Sequence, residues 1–351
     1  MSMGTAELIR PEIRRLRAYQ PADYVDGLVR LNANENPWSP GSGPGATGLN
    51  RYPNPRPVEL TARLAAHYGV TPERLLVTRG SSEAIDILVR SFCAAGRDEI
   101  VISPPTFGMY QVYAEIQGAG VRHVPLDRAT GFRLDPEQVI AGWSPSSRLL
   151  FVCSPNNPTG GVVPLADIRR LCSGLAGRGV VVLDAAYAEF AEQDDSLALI
   201  DEFDNLLVLR TLSKALALAG VRCGALIGDR VIVEIVGRTL PPYCFPVTSQ
   251  AAVLRVLDEA AASCRQQVEL LKRERVRLAK ALAANRHVRQ VWPSQANFLL
   301  VELDDAAAFV AAARAAGILL RDFSRDPFTP GCVRITVGTP EENSQLMRAV
   351  Q

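Results

Sequence analysis

A carboxylate, a lysine, an amide, a phenol and a pair of hydroxyls each stand just beyond or beside a short apolar run in this chain. In VLDAAYAEF, Asp184 follows the run directly and Tyr187 comes three residues later. A carboxylate at such a place is costly unless it has a cationic or hydrogen-bonding partner. In RTLSKALALAGVRCG, Ser213 and Lys214 precede small apolar residues, and Arg222 lies eight residues beyond the lysine. Surroundings of that kind depress an amine pKa and aid imine formation. SPNNPTG supplies Asn157 in a tight turn. Gly80-Ser81-Ser82 opens a helical pattern, and free N–H groups at a helix start suit a phosphate.

An anion cradle, a carboxylate, an amine, an amide and a phenol are the parts that pyridoxal phosphate requires. Its aldehyde needs the lysine, and its ring nitrogen needs a carboxylate to stay protonated and act as an electron sink. Its phenolate oxygen suits donors such as Asn157 and Tyr187. Its phosphate suits Arg222, hydroxyls and backbone amides. Tyr110, after the PPTFGM turn, has a ring able to stack on the cofactor's face. Each signal alone has an ordinary explanation: Asp184 as a cap, Lys214 as a solvated side chain, Asn-Pro-Thr-Gly as a type I turn, the serines as an N-cap. Their joint occurrence at successive strand ends points to one ligand.

The elements that must position these groups are legible as an alternation. Apolar strands are expected at 75–78, 100–102, 149–153, 180–183, 206–209 and 224–227, separated by helical patterns and bounded by Pro, Gly and Asn turns. That is the signature of an α/β fold with a mostly parallel central sheet covered by helices on both faces. Ligands in such sheets lie beyond the carboxyl ends of the strands. After Pro246 a long amphipathic segment runs from about 250 to 284, followed by strand, helix, strand and helix, which reads as a smaller α+β domain. We therefore expect an N-terminal arm (1–28), a large domain (50–245) and a small domain made of 29–49 with 246–351. The glycine-rich stretch 41–48 follows Ser39-Pro40 rather than a strand and is expected to be a flexible loop, not a dinucleotide fingerprint.

Composition removes other classes. The chain has 351 residues, 48% hydrophobic and 21% charged, with a formal net charge of +1, which offers no electrostatic footprint for nucleic acid or an anionic membrane surface. The first twenty residues are polar with four arginines, and no stretch reads as a signal peptide or a membrane span. Seven cysteines lack any C-x-x-C spacing and read as core residues of a reduced, cytoplasmic protein. Three unclustered histidines give no metal site.

The order N-P-T-G, D-x-x-Y, then S-K with an arginine eight residues on resembles the fold-type-I aminotransferases of class I/II. Finer motifs resemble the histidinol-phosphate branch of that family: LNANENP (31–37), RYP (51–53), TRGSSEAID (78–86), PPTFGMY (104–110), CSPNNPTG (153–160), TLSKALALAGVRCG (211–224) and VRITVGT (333–339). The resemblance runs from about residue 15 to the C-terminus. It implies Lys214 as Schiff-base lysine and proton shuttle, Asp184 as pyridinium partner, Asn157 and Tyr187 at the phenolate, and Ser81, Ser82, Ser213 and Arg222 at the phosphate. It also implies a homodimer in which Tyr52 reaches the neighbouring subunit's cofactor. Arg334, helped by Tyr19 and Arg321, would receive the anionic end of histidinol phosphate or of glutamate and 2-oxoglutarate. Ser82 stands where the family often has Asp, and Leu216 where Phe is common. An aromatic aminotransferase or a decarboxylase on the same fold are the rival enzymes. A pyridoxal-phosphate-sensing regulator lacks room here for a DNA-binding head.

Overall fold

The protein, described as a computed structural model, covers residues 4–20, 22, 28–41 and 48–350. Parts of the arm 1–28 and most of the loop 41–48 lie outside the described residues.

The central sheet has seven strands in the order β1-β7-β6-β5-β4-β2-β3. They are β1 (Leu75–Thr78), β2 (Glu99–Ile102), β3 (Gly120–His123), β4 (Ser147–Cys153), β5 (Val180–Asp184), β6 (Leu206–Thr211) and β7 (Gly224–Ile227). The pairs β3–β2, β2–β4, β4–β5 and β5–β6 are parallel, while β7 is antiparallel to both β6 and β1. Alternate residues feed two cores. Val181, Leu183, Leu206 and Val208 face one apolar cluster; Val180, Val182, Leu207 and Leu209 face the other. With both faces covered, these strands are apolar without a break. That is why the first polar residue after each is conspicuous.

A second sheet of four antiparallel strands has the order β10-β11-β9-β8, with β8 (Val288–Val291), β9 (Phe298–Leu303), β10 (Arg321–Asp322) and β11 (Cys332–Thr336). The expected strands at 298–302 and 333–337 are present, as are the helices Ala306–Ala315 and Pro340–Ala349. Thr339 and Glu342 close a capping box at the last helix. The long amphipathic segment is helical from Val247 to Ala283, interrupted by a π-helical turn at Val256–Ala260.

The two sheets meet beside the strand ends. Ala186, Tyr187, Phe190 and Ala215, which follow β5 and β6, pack with Val268 of the long helix, with Ala296 just before β9 and with Phe298 at its start. Six cysteines are buried and Cys244 is half-buried, all as free thiols. Among the described residues no helix is long and apolar enough to cross a membrane.

Candidate active site

Asp184 is the last residue of β5, between Cys153 of β4 and Leu209 of β6. It is 2% exposed. Its partners are neutral: Tyr110 donates its phenol to Oδ2 at 2.8 Å and the Ala186 N–H donates to Oδ1 at 3.2 Å. Burial pushes its pKa up to about 6, against the pull of those two donors and the charge of Lys214. A carboxylate buried in that manner favours a cation placed against it, and a pyridinium nitrogen is such a cation. The donor set fits the cofactor.

Lys214 lies three residues past β6, on a loop closed at its base by the Leu212 N–H to Cys223 carbonyl bond (3.0 Å). Its side chain opens to the cleft, with Nζ 5.5 Å from the centre of the Tyr187 ring. Burial lowers the amine pKa, and the charges of Arg334 and Arg222 lower it further, opposed by Asp184. Depression favours the neutral, nucleophilic amine.

The anion cradle forms at the start of the helix Ser81–Phe92. Gly80 caps it with φ of 83°, and a Cβ there would stand 2.8 Å from Arg222 Nη2, so the guanidinium lies directly on the glycine. Arg222 Nη1 is 3.3 Å from Ser213 Oγ, which itself is 3.0 Å from Thr211 Oγ1. Ser81 and Ser82, both half-buried, occupy the first turn. Two segments far apart in sequence, 80–82 and 211–222, thus converge on one oxyanion-sized place, as expected for a phosphate.

Across the cleft, Arg334 of β11 donates to Asn157 Oδ1. With its Oδ1 occupied, Asn157 can present its Nδ2 as a donor. Arg321 stands opposite Arg334 in the β10–β11 register. The Arg334 guanidinium lies 5.3 Å from the Phe298 ring and 5.5 Å from Phe323, and Arg321 lies 5.6 Å from Phe323. Phe298 in turn meets Tyr187 edge-on at 5.1 Å. Among the described residues neither arginine has a carboxylate partner, so the pair is arranged for an anion from outside.

Tyr110, in the first turn of the helix Met109–Gln117, is fully buried, stacked on Phe151 at 4.7 Å, and turns its phenol onto Asp184. Tyr52 and Tyr19 are not gathered at Lys214 within this chain. Tyr52 is 49% exposed and stacks on Tyr243 at 4.6 Å. Tyr19 is exposed at the edge of a separate cavity of about 790 Å³ lined by Pro55, Thr61, Leu76 and Phe245.

Sequence reasoning passed over Phe298, which backs both Tyr187 and Arg334, and Arg275, a buried arginine donating to the carbonyls of Phe190 (3.0 Å) and Ala296 (2.9 Å). It also passed over Asn156. That side chain locks the SPNNPTG turn by accepting from Thr106 Oγ1 (2.9 Å) and donating to the Pro105 carbonyl and Thr159 Oγ1. The doubled asparagine was the available signal: one amide builds the turn and its neighbour faces the cleft.

Residues 45–350 match the family described as aminotransferase class I and II, and the chain belongs to that family. It is a pyridoxal-phosphate-dependent aminotransferase by descent and by the site just described. It is 43% identical over 357 residues to the histidinol-phosphate aminotransferase of Xanthomonas campestris pv. campestris, a span of 99% of this chain and 98% of that one. It is also 43% identical over 350 residues to the Xylella fastidiosa enzyme of the same name, covering 98% and 96% of the two chains. The crystal structure of histidinol-phosphate aminotransferase from Sinorhizobium meliloti in complex with pyridoxal-5'-phosphate shares the fold with a TM-score of 0.78, at 23% identity over 87% of this chain and 83% of that one.

Proposed function

We propose that this chain is a histidinol-phosphate aminotransferase, moving an amino group between L-histidinol phosphate and 2-oxoglutarate, with imidazole-acetol phosphate and glutamate as the other pair, in histidine biosynthesis. The observation that carries the substrate reading is the Arg334–Arg321 pair, without a carboxylate partner among the described residues and linked through Phe298 and Tyr187 to the lysine. Fixed guanidinium groups of this kind suit the phosphate of one substrate and a carboxylate of the other.

Bound pyridoxal phosphate supplies an electron sink for the bond broken at the substrate's Cα. Asp184, ionised once a cation lies against it, holds the ring nitrogen protonated. Asn157 Nδ2 and the Tyr187 hydroxyl orient the phenolate oxygen. Arg222, Ser213, Ser81, Ser82 and the first helical N–H groups hold the phosphate. Lys214 would be the residue that holds the cofactor through its aldehyde, and as a neutral base it would carry the proton taken from the substrate's Cα. Its depressed pKa serves that second role.

In this reading the protein acts as a cytoplasmic homodimer, with 50–245 as the cofactor domain, and 29–49 with 246–351 as the smaller one. Leu28, Val29, Leu31 and Trp38 are 66–90% exposed near the exposed Tyr52 in sequence. So large an apolar display is suited to a second copy, which would bring Tyr52 to the neighbouring phosphate.

The test is product analysis with each donor. Glutamate formed from 2-oxoglutarate with histidinol phosphate, at an efficiency well above that with phenylalanine or tyrosine, is expected. Glutamate from the aromatic donors alone would overturn the substrate assignment, and CO2 release from threonine phosphate without glutamate would overturn the reaction.

A further inference from the structure

The motifs LNANENP and RYP supply no residue to the site around Lys214 of their own chain as described above, yet the structure locks them together around one carboxylate. The Glu35 side chain is 3% exposed. Its Oε1 accepts from the Tyr52 N–H at 2.7 Å and pairs with Arg30 Nη2 at 2.9 Å; its Oε2 accepts from Arg51 Nη1 at 2.9 Å. Burial pushes the Glu35 carboxyl up, but the Tyr52 N–H, Arg51 and Arg30 more than offset this and hold it below the usual range. The carboxylate is therefore ionised and bound on both oxygens, the condition under which a buried charge is tolerated.

The contacts centre on one residue. Arg30 Nη1 also donates to the Tyr52 carbonyl at 3.2 Å, so both backbone groups of Tyr52 are tied to the same cluster. Upstream, Asn50 Nδ2 donates to the Asn36 carbonyl at 2.9 Å. On the other side the Tyr52 ring rests on Tyr243. The backbone of a half-exposed tyrosine is thus fixed at its amide, its carbonyl and its neighbour, while the ring points out of the cluster. A surface loop with only a connecting role has no need of a buried carboxylate aimed at one amide.

We infer that Glu35 is the positioning residue for Tyr52, setting the reach of that phenol toward the cofactor phosphate of the neighbouring subunit. The inference rests on the reading of Tyr52 given above. Glu35 touches neither substrate nor cofactor. It acts through the Tyr52 backbone, with Arg30 and Arg51 holding the carboxylate in place.

The experiment compares Glu35→Gln, Glu35→Asp, Tyr52→Phe and the double variant Glu35→Gln/Tyr52→Phe as holoenzymes. It reads the rate of pyridoxal phosphate release on dilution, hydrogen exchange at the Tyr52 amide, and oligomeric state by sedimentation. Gln keeps an acceptor oxygen but not the charge, and a loss equal to one ordinary net hydrogen bond corresponds to about a fivefold to tenfold change. Glu35→Gln should therefore speed cofactor release and Tyr52 amide exchange by about that factor in an intact dimer. Tyr52→Phe should speed release alike, the double variant should add little to either, and Glu35→Asp should recover part of the effect. Release unchanged in Glu35→Gln but faster in Tyr52→Phe would overturn the inference and leave the reading of Tyr52 standing. Release unchanged in both would overturn the two together. Dissociation of the Glu35→Gln dimer would also overturn it, by making Glu35 a residue of assembly.

Discussion

The strand-end site and the N-terminal segment are built on opposite plans. Asp184, Lys214, Asn157 and Arg222 are set by a sheet buried on both faces and converge within one chain. The 28–52 segment, in its described residues, has neither helix nor strand, exposes Val29, Leu31 and Trp38, and is ordered around a single ion cluster. A rigid sheet can fix reacting groups without help; a segment held by one carboxylate can only present a side chain to something else. The first region gathers its groups within one chain; in the proposed reading the second completes a site across an interface.

The largest expected effect breaks the first region outright. Lys214→Ala should lower turnover by on the order of a thousandfold or more, since it removes both the attachment and the proton carrier; near-normal activity in a steady-state assay would contradict its role. Arg334→Gln should lower kcat/KM for histidinol phosphate by roughly 100-fold, the scale of a charge-assisted bidentate contact. The exposed Arg321, changed to Gln, should cost only about tenfold.

Asp184→Asn separates stability from function. The native carboxyl is raised to about 6 from an ordinary 3.8 by burial. The stabilising effect of its proton is therefore complete below about pH 4 and lost as pH rises through about 6. In the cofactor-free protein at pH 7–8, Asn should accordingly stabilise the fold by roughly 2–3 kcal/mol, and the gain should vanish toward pH 4. Cofactor affinity should fall in the same variant. Thermal melts of the cofactor-free proteins across pH check the sign; a variant less stable at pH 8 would contradict it.

The smallest effect sharpens the contrast between the regions. Mixing Lys214→Ala and Tyr52→Phe subunits should produce hybrid dimers in which one site has both Lys214 and Tyr52. That site should release cofactor at the wild-type rate, about fivefold to tenfold slower than the Tyr52→Phe homodimer. Hybrids no better than the homodimer would place Tyr52 in its own chain's site.

The same contrast explains what could be read from the sequence. Strands buried on both faces are nearly uninterrupted apolar runs, so β1, β2, β4, β5, β6 and β7 and the polar residues after them were legible. Partly exposed or very short strands were not. β3 (GVRH) and β8 (VRQV) are partly exposed and mix charge with apolar residues, and β10 is only two residues long. The Arg321–Arg334 apposition hangs on that two-residue strand, so only family resemblance could suggest it. Nothing in PPTFGMY shows that the helix sets the Tyr110 phenol against Asp184. Glu35 was quoted within a motif, but pairing between irregular segments leaves no periodicity to read.

The most direct test of the account is the visible spectrum of the purified holoenzyme titrated with L-histidinol phosphate and then with 2-oxoglutarate. The account predicts that the colour of the lysine-bound cofactor is lost on the first addition and restored by the second, and that Lys214→Ala shows no such starting colour. A spectrum indifferent to histidinol phosphate but responsive to aromatic amino acids would contradict the substrate assignment. A protein that never takes up colour with added pyridoxal phosphate would contradict the role of Lys214 itself.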